Sequence, residues 1–291
     1  MDYFLSVPDL PYYHWQLDLL IESFQIKNCE DKLSVCIYNA QESSRVGYNE
    51  DFLKNISSHE RKVYTSNVGD KRGCCEINKL YNLLNFLNAN KIKQPLMVIE
   101  PYNVLRKEYD LSIADASIPS FIFSVDPFFT LEEVEKNVGP FYSWFGLEKS
   151  IFESSWIPIG DIYIFNKVPT NFFFDTVRIA EKLALHQMLA NNSVWKRTSD
   201  LAVSINALLN ASSILCKGDC NIFSPMNSDF DSSFISYKDG YPPNFHKSMF
   251  SFKPPFGLSF GDPIKVLSGI NYSPNSSYIS NVARRSVARR S

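Results

Sequence analysis

Leu96-Met97-Val98-Ile99-Glu100 is a continuous apolar run that ends in a carboxylate. It has no alternating polar face, so it reads as a central strand of a parallel sheet covered on both sides. Function in such sheets collects at the carboxyl ends of the strands, which makes Glu100 the first residue to weigh. Upstream, Gln94-Pro95 breaks a helix over about residues 76–90, whose Ile77, Leu80, Tyr81, Leu84 and Leu87 share one face. Before that helix, Asn67 to Cys75 (NVGDKRGCC) is a loop with two glycines that carries Lys71 and Arg72.

The same alternation continues outward. Toward the start, Tyr3–Ser6 and Leu33–Tyr38 (LSVCIY) read as strands, with a helix over about 12–27 between them set by Trp15, Leu19, Leu20, Ser23 and Phe24. The stretch 39–62 is polar and has no assignment. Downstream, Ser120–Val125 (SFIFSV) and Ile157–Phe165 (IPIGDIYIF) read as strands, with Gly160 allowing close backbone approach. A short acidic helix lies near 131–137, helices near 170–190 and 198–214, and late strands near 221–223 and 233–237. Strands that alternate with helices predict an α/β fold with a mostly parallel, Rossmann-like central sheet flanked by helices. The length suits one domain over residues 1–270, followed by a flexible tail over 271–291.

That tail repeats Val-Ala-Arg-Arg-Ser in tandem at 282–286 and 287–291, and reads as a solvated, frayed terminus. A net charge of −2 excludes a basic nucleic-acid-binding domain. No basic leader and no run of about 18 apolar residues is present, so no membrane span is expected, and six scattered cysteines suit reduced thiols in a cytoplasmic protein. Cys216-Lys217-Gly218-Asp219-Cys220 lacks the second pair that a zinc site needs. The phosphate-loop lysine motif, the Gly-x-Ser-x-Gly elbow and the Gly-x-Gly-x-x-Gly fingerprint are all missing, which argues against P-loop nucleotidases, serine hydrolases and dinucleotide enzymes.

Three stretches carry a resemblance. Val7-Pro8-Asp9-Leu10-Pro11-Tyr12-Tyr13-His14-Trp15-Gln16 opens a helix behind a strand. Arg72-Gly73 leads through Asn78-Lys79 to Ile99-Glu100-Pro101, and Pro158-Ile159-Gly160-Asp161 follows, with Asp200 opening a later helix. In order and spacing, over most of residues 3–215, this resembles the hydroxyproline O-arabinosyltransferase group of glycosyltransferases. The resemblance implies a GT-A fold, a nucleotide-sugar donor at the carboxyl edge of the sheet, a hydroxyl acceptor on a peptide or glycan, and a divalent ion bridging the diphosphate. Where the family's strand-end motif has its acidic third position, this chain has Tyr102, followed by Asn103. Where the family places a later histidine, it has Ser236. Glu100 is left as the expected metal ligand, so manganese or magnesium is expected to bind weakly or with help from the substrate.

The resemblance also assigns roles. Lys71 and Arg72 would clamp the diphosphate, since a guanidinium fork matches phosphate oxygens. Glu100 would contact the metal or the ribose, and otherwise form a salt bridge at the sheet edge. Asp161 would hold the sugar or the acceptor, and Asp200 would act as base or cation stabiliser, against the plain reading of a helix cap. His246, beside Lys247, would take the place of the missing histidine. The competing expectation is a GT-A-like binding protein that has lost its metal ligands and no longer catalyses transfer.

Overall fold

The computed structural model describes residues 1–8, 11–38, 62–66, 75–90, 95–111, 118–191, 195, 197–237 and 263–290. The main sheet has seven strands: β1 (Asp2–Pro8), β2 (Leu33–Tyr38), β3 (Lys62–Ser66), β4 (Leu96–Val98), β6 (Ser120–Val125), β7 (Ile159–Asn166) and β8 (Leu215–Gly218). Their order is β3-β2-β1-β4-β7-β6-β8. All run parallel except β7, which is antiparallel to both β4 and β6. A second sheet joins β5 (Asn103–Leu105), β10 (Phe234–Ser236) and β9 (Phe223–Pro225) in that order. The expected strands 33–38, 96–100 and 157–165 thus lie inside the sheet, although β4 is shorter than expected and Glu100 lies just past its end.

The period of two along each strand sorts the core into two layers. Phe4, Cys36, Leu96, Val98, Phe121, Phe123, Tyr163 and Phe165 face α2 (Cys75–Asn90), α5 (Thr170–Asn191) and α6 (Thr198–Leu209). The alternate residues Tyr3, Leu5, Val35, Ile37, Met97, Ile99 and Ile164 face α1 (Pro11–Ile26). Between β6 and β7 lie α3 (Leu131–Val138) and α4 (Lys149–Ser155). Thr130 caps α3 by accepting from Glu133 N at 3.2 Å, and Gly139 ends it at φ 85, a value that favours glycine. The expected helix over 198–214 stops at Leu209, and the chain then turns into β8.

The expected flexible tail is corrected. Residues 263–268 form α7 (Pro263–Ser268) and 274–290 form α8 (Pro274–Arg290). Ile279, Val282, Ala283 and Ser286 are buried at helical spacing, and α8 packs with Trp15 and Leu19 of α1 in a third apolar cluster. Arg285 and Arg289 both reach the buried Glu22 of α1, at 3.4 and 2.7 Å. The arginines of the repeat therefore neutralise a buried carboxylate of their own chain, which a frayed end would leave exposed to the cost of an unpaired charge. No described helix is long and apolar enough to cross a membrane.

Candidate functional site

The chain leaves β1 through α1 on one face of the sheet and returns to β4 through α2 on the other. β1 and β4 are neighbours, so their connections diverge and open a crevice beyond their carboxyl ends, the place where open α/β sheets bind ligands. Polar side chains collect there on the α2 side. Asn78 and Asn82 lie four residues apart and share the helix face that meets β1. Asn82 Nδ2 donates to Ser6 Oγ at 2.9 Å. Among the described residues Asn78 Nδ2 and Asn82 Oδ1 have no hydrogen-bond partner, and their residues are only 2% and 1% exposed. Such groups cost about 1–3 kcal/mol each when left unpaired, so each calls for an explanation. Lys79, between them in sequence, forms an ion pair with Glu100, and the two side chains are 9% and 16% exposed.

A second polar centre lies across β4, around β6 and β7. Their register jumps between Phe123 and Val125, so that β7 carries a bulge over Gly160, Asp161 and Ile162. Ser124 bridges the bulge, accepting from Ile162 N at 3.2 Å and donating to Ile162 O at 3.1 Å. A Cβ at position 160 would stand 2.5 Å from Ser124 Oγ and 2.7 Å from Ser124 O, so only glycine fits. β7 runs against its neighbours, so this bulge at its start lies at the same edge as the ends of β4 and β6. Carrying the β4–β7 register on by two residues sets Glu100 beside Asp161.

Arg197 is the hub of this centre. Its Nη2 lies 2.9 Å from Asp126 Oδ2 and its Nε donates to Asp200 Oδ2 at 3.2 Å. The Nη2 contact is an ion pair by distance, not an in-line hydrogen bond. Burial opposes the charge on Arg197, but the carboxylates of Asp200, Asp126 and Asp161 outweigh it and hold the guanidinium charged. The guanidinium also lies 4.2 Å above the ring of Phe129, which stacks on Trp195, while Trp156 Nε1 donates to Phe129 O at 3.0 Å. Asp126 is fixed from both ends: its Oδ1 accepts from Phe128 N at 2.9 Å, and its own N–H donates to Pro158 O at 3.1 Å. The turn leaves Phe128 81% exposed at the rim.

The register therefore sets Glu100 and Asp161 at one edge, and the Asp161 carboxylate acts at longer range on Arg197, which is paired with Asp126 and Asp200. Lys71, Arg72 and His246 lie outside the described residues. Glu100, expected to ligate a metal, is instead engaged by an ammonium group. The two substituted positions fall together, since Ser236 pairs with Asn103 across β10 and β5. Asn103 Nδ2 donates to Glu100 O at 3.1 Å, and Tyr237 donates from its N–H to Tyr102 O and from its hydroxyl to Pro101 O, both at 3.2 Å. Among the described residues no three His, Cys, Asp or Glu side chains converge to hold a metal ion. A hard dication needs about six oxygen ligands, and the described residues at this strand end, with Glu100 paired to Lys79 and Tyr102, Asn103 and Ser236 neutral, do not supply them.

No family model matches the chain, and no curated protein sequence resembles it closely enough to count as a relative. Solved structures do match. WbbM, a bifunctional glycosyltransferase, superposes with a TM-score of 0.50 at 12% identity, over 97% of this chain and 51% of that one. The galactosyltransferase LgtC, solved with donor and acceptor sugar analogs, gives 0.49 at 10% identity over 98% and 96%. The fold is GT-A. At such identity the likeness is one of architecture.

Sequence reasoning passed over Arg197, Asp126, Asn78 and Asn82 as site residues. A signal for Asp126 was present: Ser120–Asp126 (SFIFSVD) repeats the apolar-strand-then-carboxylate pattern of Leu96–Glu100. The arginine has no such mark, because its role depends on Asp126 and Asp161, brought from the end of β6 and the start of β7, as well as on nearby Asp200.

Proposed function

We propose that this chain transfers a sugar from a nucleotide-sugar donor to a hydroxyl acceptor on a peptide or glycan, and that it works in the cytoplasm. The observation that carries the reading is the juxtaposition at one sheet edge of two features. One is the switch point between β1 and β4, where Asn78 Nδ2 and Asn82 Oδ1 are buried without hydrogen-bond partners among the described residues. The other is the carboxylate-rich centre around Arg197. The GT-A fold shared with WbbM supports the same reading, and the motifs over residues 3–215 favour the hydroxyproline O-arabinosyltransferase group within it.

In this reading the nucleotide enters the crevice between β1 and β4, with Lys71, Arg72 and His246 contacting its diphosphate. The sugar lies over the ends of β4 and β7. The acceptor oxygen bonds to the anomeric carbon while the bond from that carbon to the diphosphate oxygen breaks, and the electron pair leaves with the nucleoside diphosphate. The acceptor's proton passes to a carboxylate. Asp161 suits that task, since it is half-exposed in the bulge, whereas Asp200 is buried and held by Arg197 Nε. Arg197 positions the centre, and the carboxylates of Asp126 and Asp200 offset positive charge that builds on the sugar.

A thermal-shift screen across nucleoside diphosphates and their sugars, followed by transfer of labelled sugar to hydroxyl acceptors, tests the proposal. Stabilisation by a nucleotide sugar together with label in the acceptor is the expected result. The engagement of Glu100 by Lys79 is the observation that favours the alternative, a non-catalytic binding protein, and binding without transfer would establish it. Failure of every nucleotide and nucleotide sugar to bind would overturn the donor site itself.

A further inference from the structure

Resting on that reading, we propose that Lys79 is the cation that receives the donor's diphosphate, in the place a divalent ion would otherwise hold. Lys79 projects from the early turns of α2 at the switch point, between two residues whose amides face β1. Its partner Glu100 is the strand-end carboxylate from which a metal would be built. The positions that would complete a metal's shell, Tyr102, Asn103 and Ser236, are neutral, and the backbone around them is committed to the contacts between Pro101–Asn103 and Ser236–Tyr237.

The chemistry of the unsatisfied groups points to the ligand class. Asn78 Nδ2 is a buried donor without an acceptor among the described residues, one position before Lys79 on the same early turn of α2, and the Lys79 ammonium has three donors of its own. A ligand that satisfies both must be rich in acceptor oxygens and negatively charged, which describes a diphosphate. Asn82 Oδ1, one turn further along, is a buried acceptor without a donor, and suits a hydroxyl or N–H elsewhere on the same nucleotide. In the free protein Glu100 holds the ammonium in place. When the diphosphate arrives, Lys79 turns part of its donor capacity to the phosphate oxygens, and as the glycosidic bond breaks it offsets the negative charge left on the departing nucleoside diphosphate. No proton needs to move from the lysine for that role.

The test is calorimetric titration of the full chain with UDP, GDP, ADP and CDP in EDTA and then in manganese. The same titrations are run on Lys79→Arg and on the double variant Lys79→Met/Glu100→Gln, which replaces the pair by neutral groups of similar size. The wild type is expected to bind one nucleoside diphosphate equally well with and without metal. The double variant is expected to lose about 10–100-fold in affinity for it, the range for a hydrogen bond to a charged group, while its affinity for the matching nucleoside is unchanged. Lys79→Arg is expected to restore most of the loss. Binding that EDTA abolishes and manganese restores would overturn the inference while leaving the donor site standing. So would wild-type diphosphate affinity in the double variant. A wild type that binds none of the nucleotides would overturn the donor site and this inference together.

Discussion

Two ionic groups share the carboxyl edge of the sheet, and they are built to opposite plans. The Lys79–Glu100 pair is balanced, one cation to one anion, and Lys79 lies on α2 between Asn78 and Asn82, each of which has one amide atom without a partner among the described residues. The centre at Arg197 gathers three carboxylates around one guanidinium, and clamps the cation between Asp126, Asp200 and the ring of Phe129. A balanced pair can exchange one partner for an incoming anion without leaving a bare charge behind. An over-supplied cluster cannot give up its cation, but it presents excess negative charge to whatever lies above it. The first plan suits the reception of a phosphate, and the second suits a reacting centre where a proton is lost and positive charge appears.

If that contrast is right, Asp161→Asn has the largest effect. Single-turnover transfer is expected to fall by about 10²–10⁴-fold, the range for a lost general base, with nucleotide affinity unchanged in calorimetry. A matching loss of nucleotide binding would erase the division of labour between the two centres. Next comes Arg197→Met, which strips the counterion from Asp126 and Asp200. Urea denaturation is expected to show a loss of about 3–5 kcal/mol, as for other broken buried pairs, and Lys79→Met a smaller one because a single carboxylate is left exposed to the change. The reverse order would break the comparison.

Gly160→Ala tests the bulge that aims Asp161. Its new methyl group meets Ser124, so a cost of about 1–3 kcal/mol in the same denaturation experiment is expected, together with a fall in transfer. The smallest effect concerns how dry the crevice floor is. Cys36 lies beside Ser6, and burial pushes its thiol from 9.0 up to about 12. Both folded and unfolded chains keep this proton below about pH 9, so the stabilisation is complete there. Above it the unfolded chain ionises first, and stability falls as pH rises toward 12. Denaturation at a series of alkaline pH values should show that fall, and Cys36→Ala should flatten part of it, the remainder belonging to Cys29 and Cys216, both pushed to about 11, and above about pH 10 to buried tyrosines such as Tyr3, Tyr109 and Tyr278, which burial also raises.

The elements with strong periodicity were legible in the sequence. The strands at 33–38 and 120–125 and the helices near 12–27, 76–90 and 170–190 came out within a few residues, because each buries a full apolar face. What escaped notice was short or disguised. β5 spans three residues, too few to show a period, β3 follows a polar stretch without assignment, and β8 is an edge strand of largely exposed residues. α8 hid behind its arginines, although Ile279, Val282, Val287 and the small residues between them do follow a helical stripe. In the site, Glu100 and Asp161 were readable as strand-edge acids. Their ties were not, since Lys79 and Arg197 gain meaning only from neighbours that the fold brings together from far along the chain.

The docking of α8 on α1 has a consequence for how the molecule comes into being. Gln25 and Arg289 are in contact although 264 residues separate them. During synthesis β1 and α1 emerge long before α8, and α1 must wait for it before Trp15 and Leu19 are covered and Glu22 meets its arginines. Contacts of such long range are costly in loop entropy and form late. An incomplete chain therefore presents a bare apolar ridge and a buried acid without its partner, a surface that chaperones hold and that proteases can recognise as unfinished.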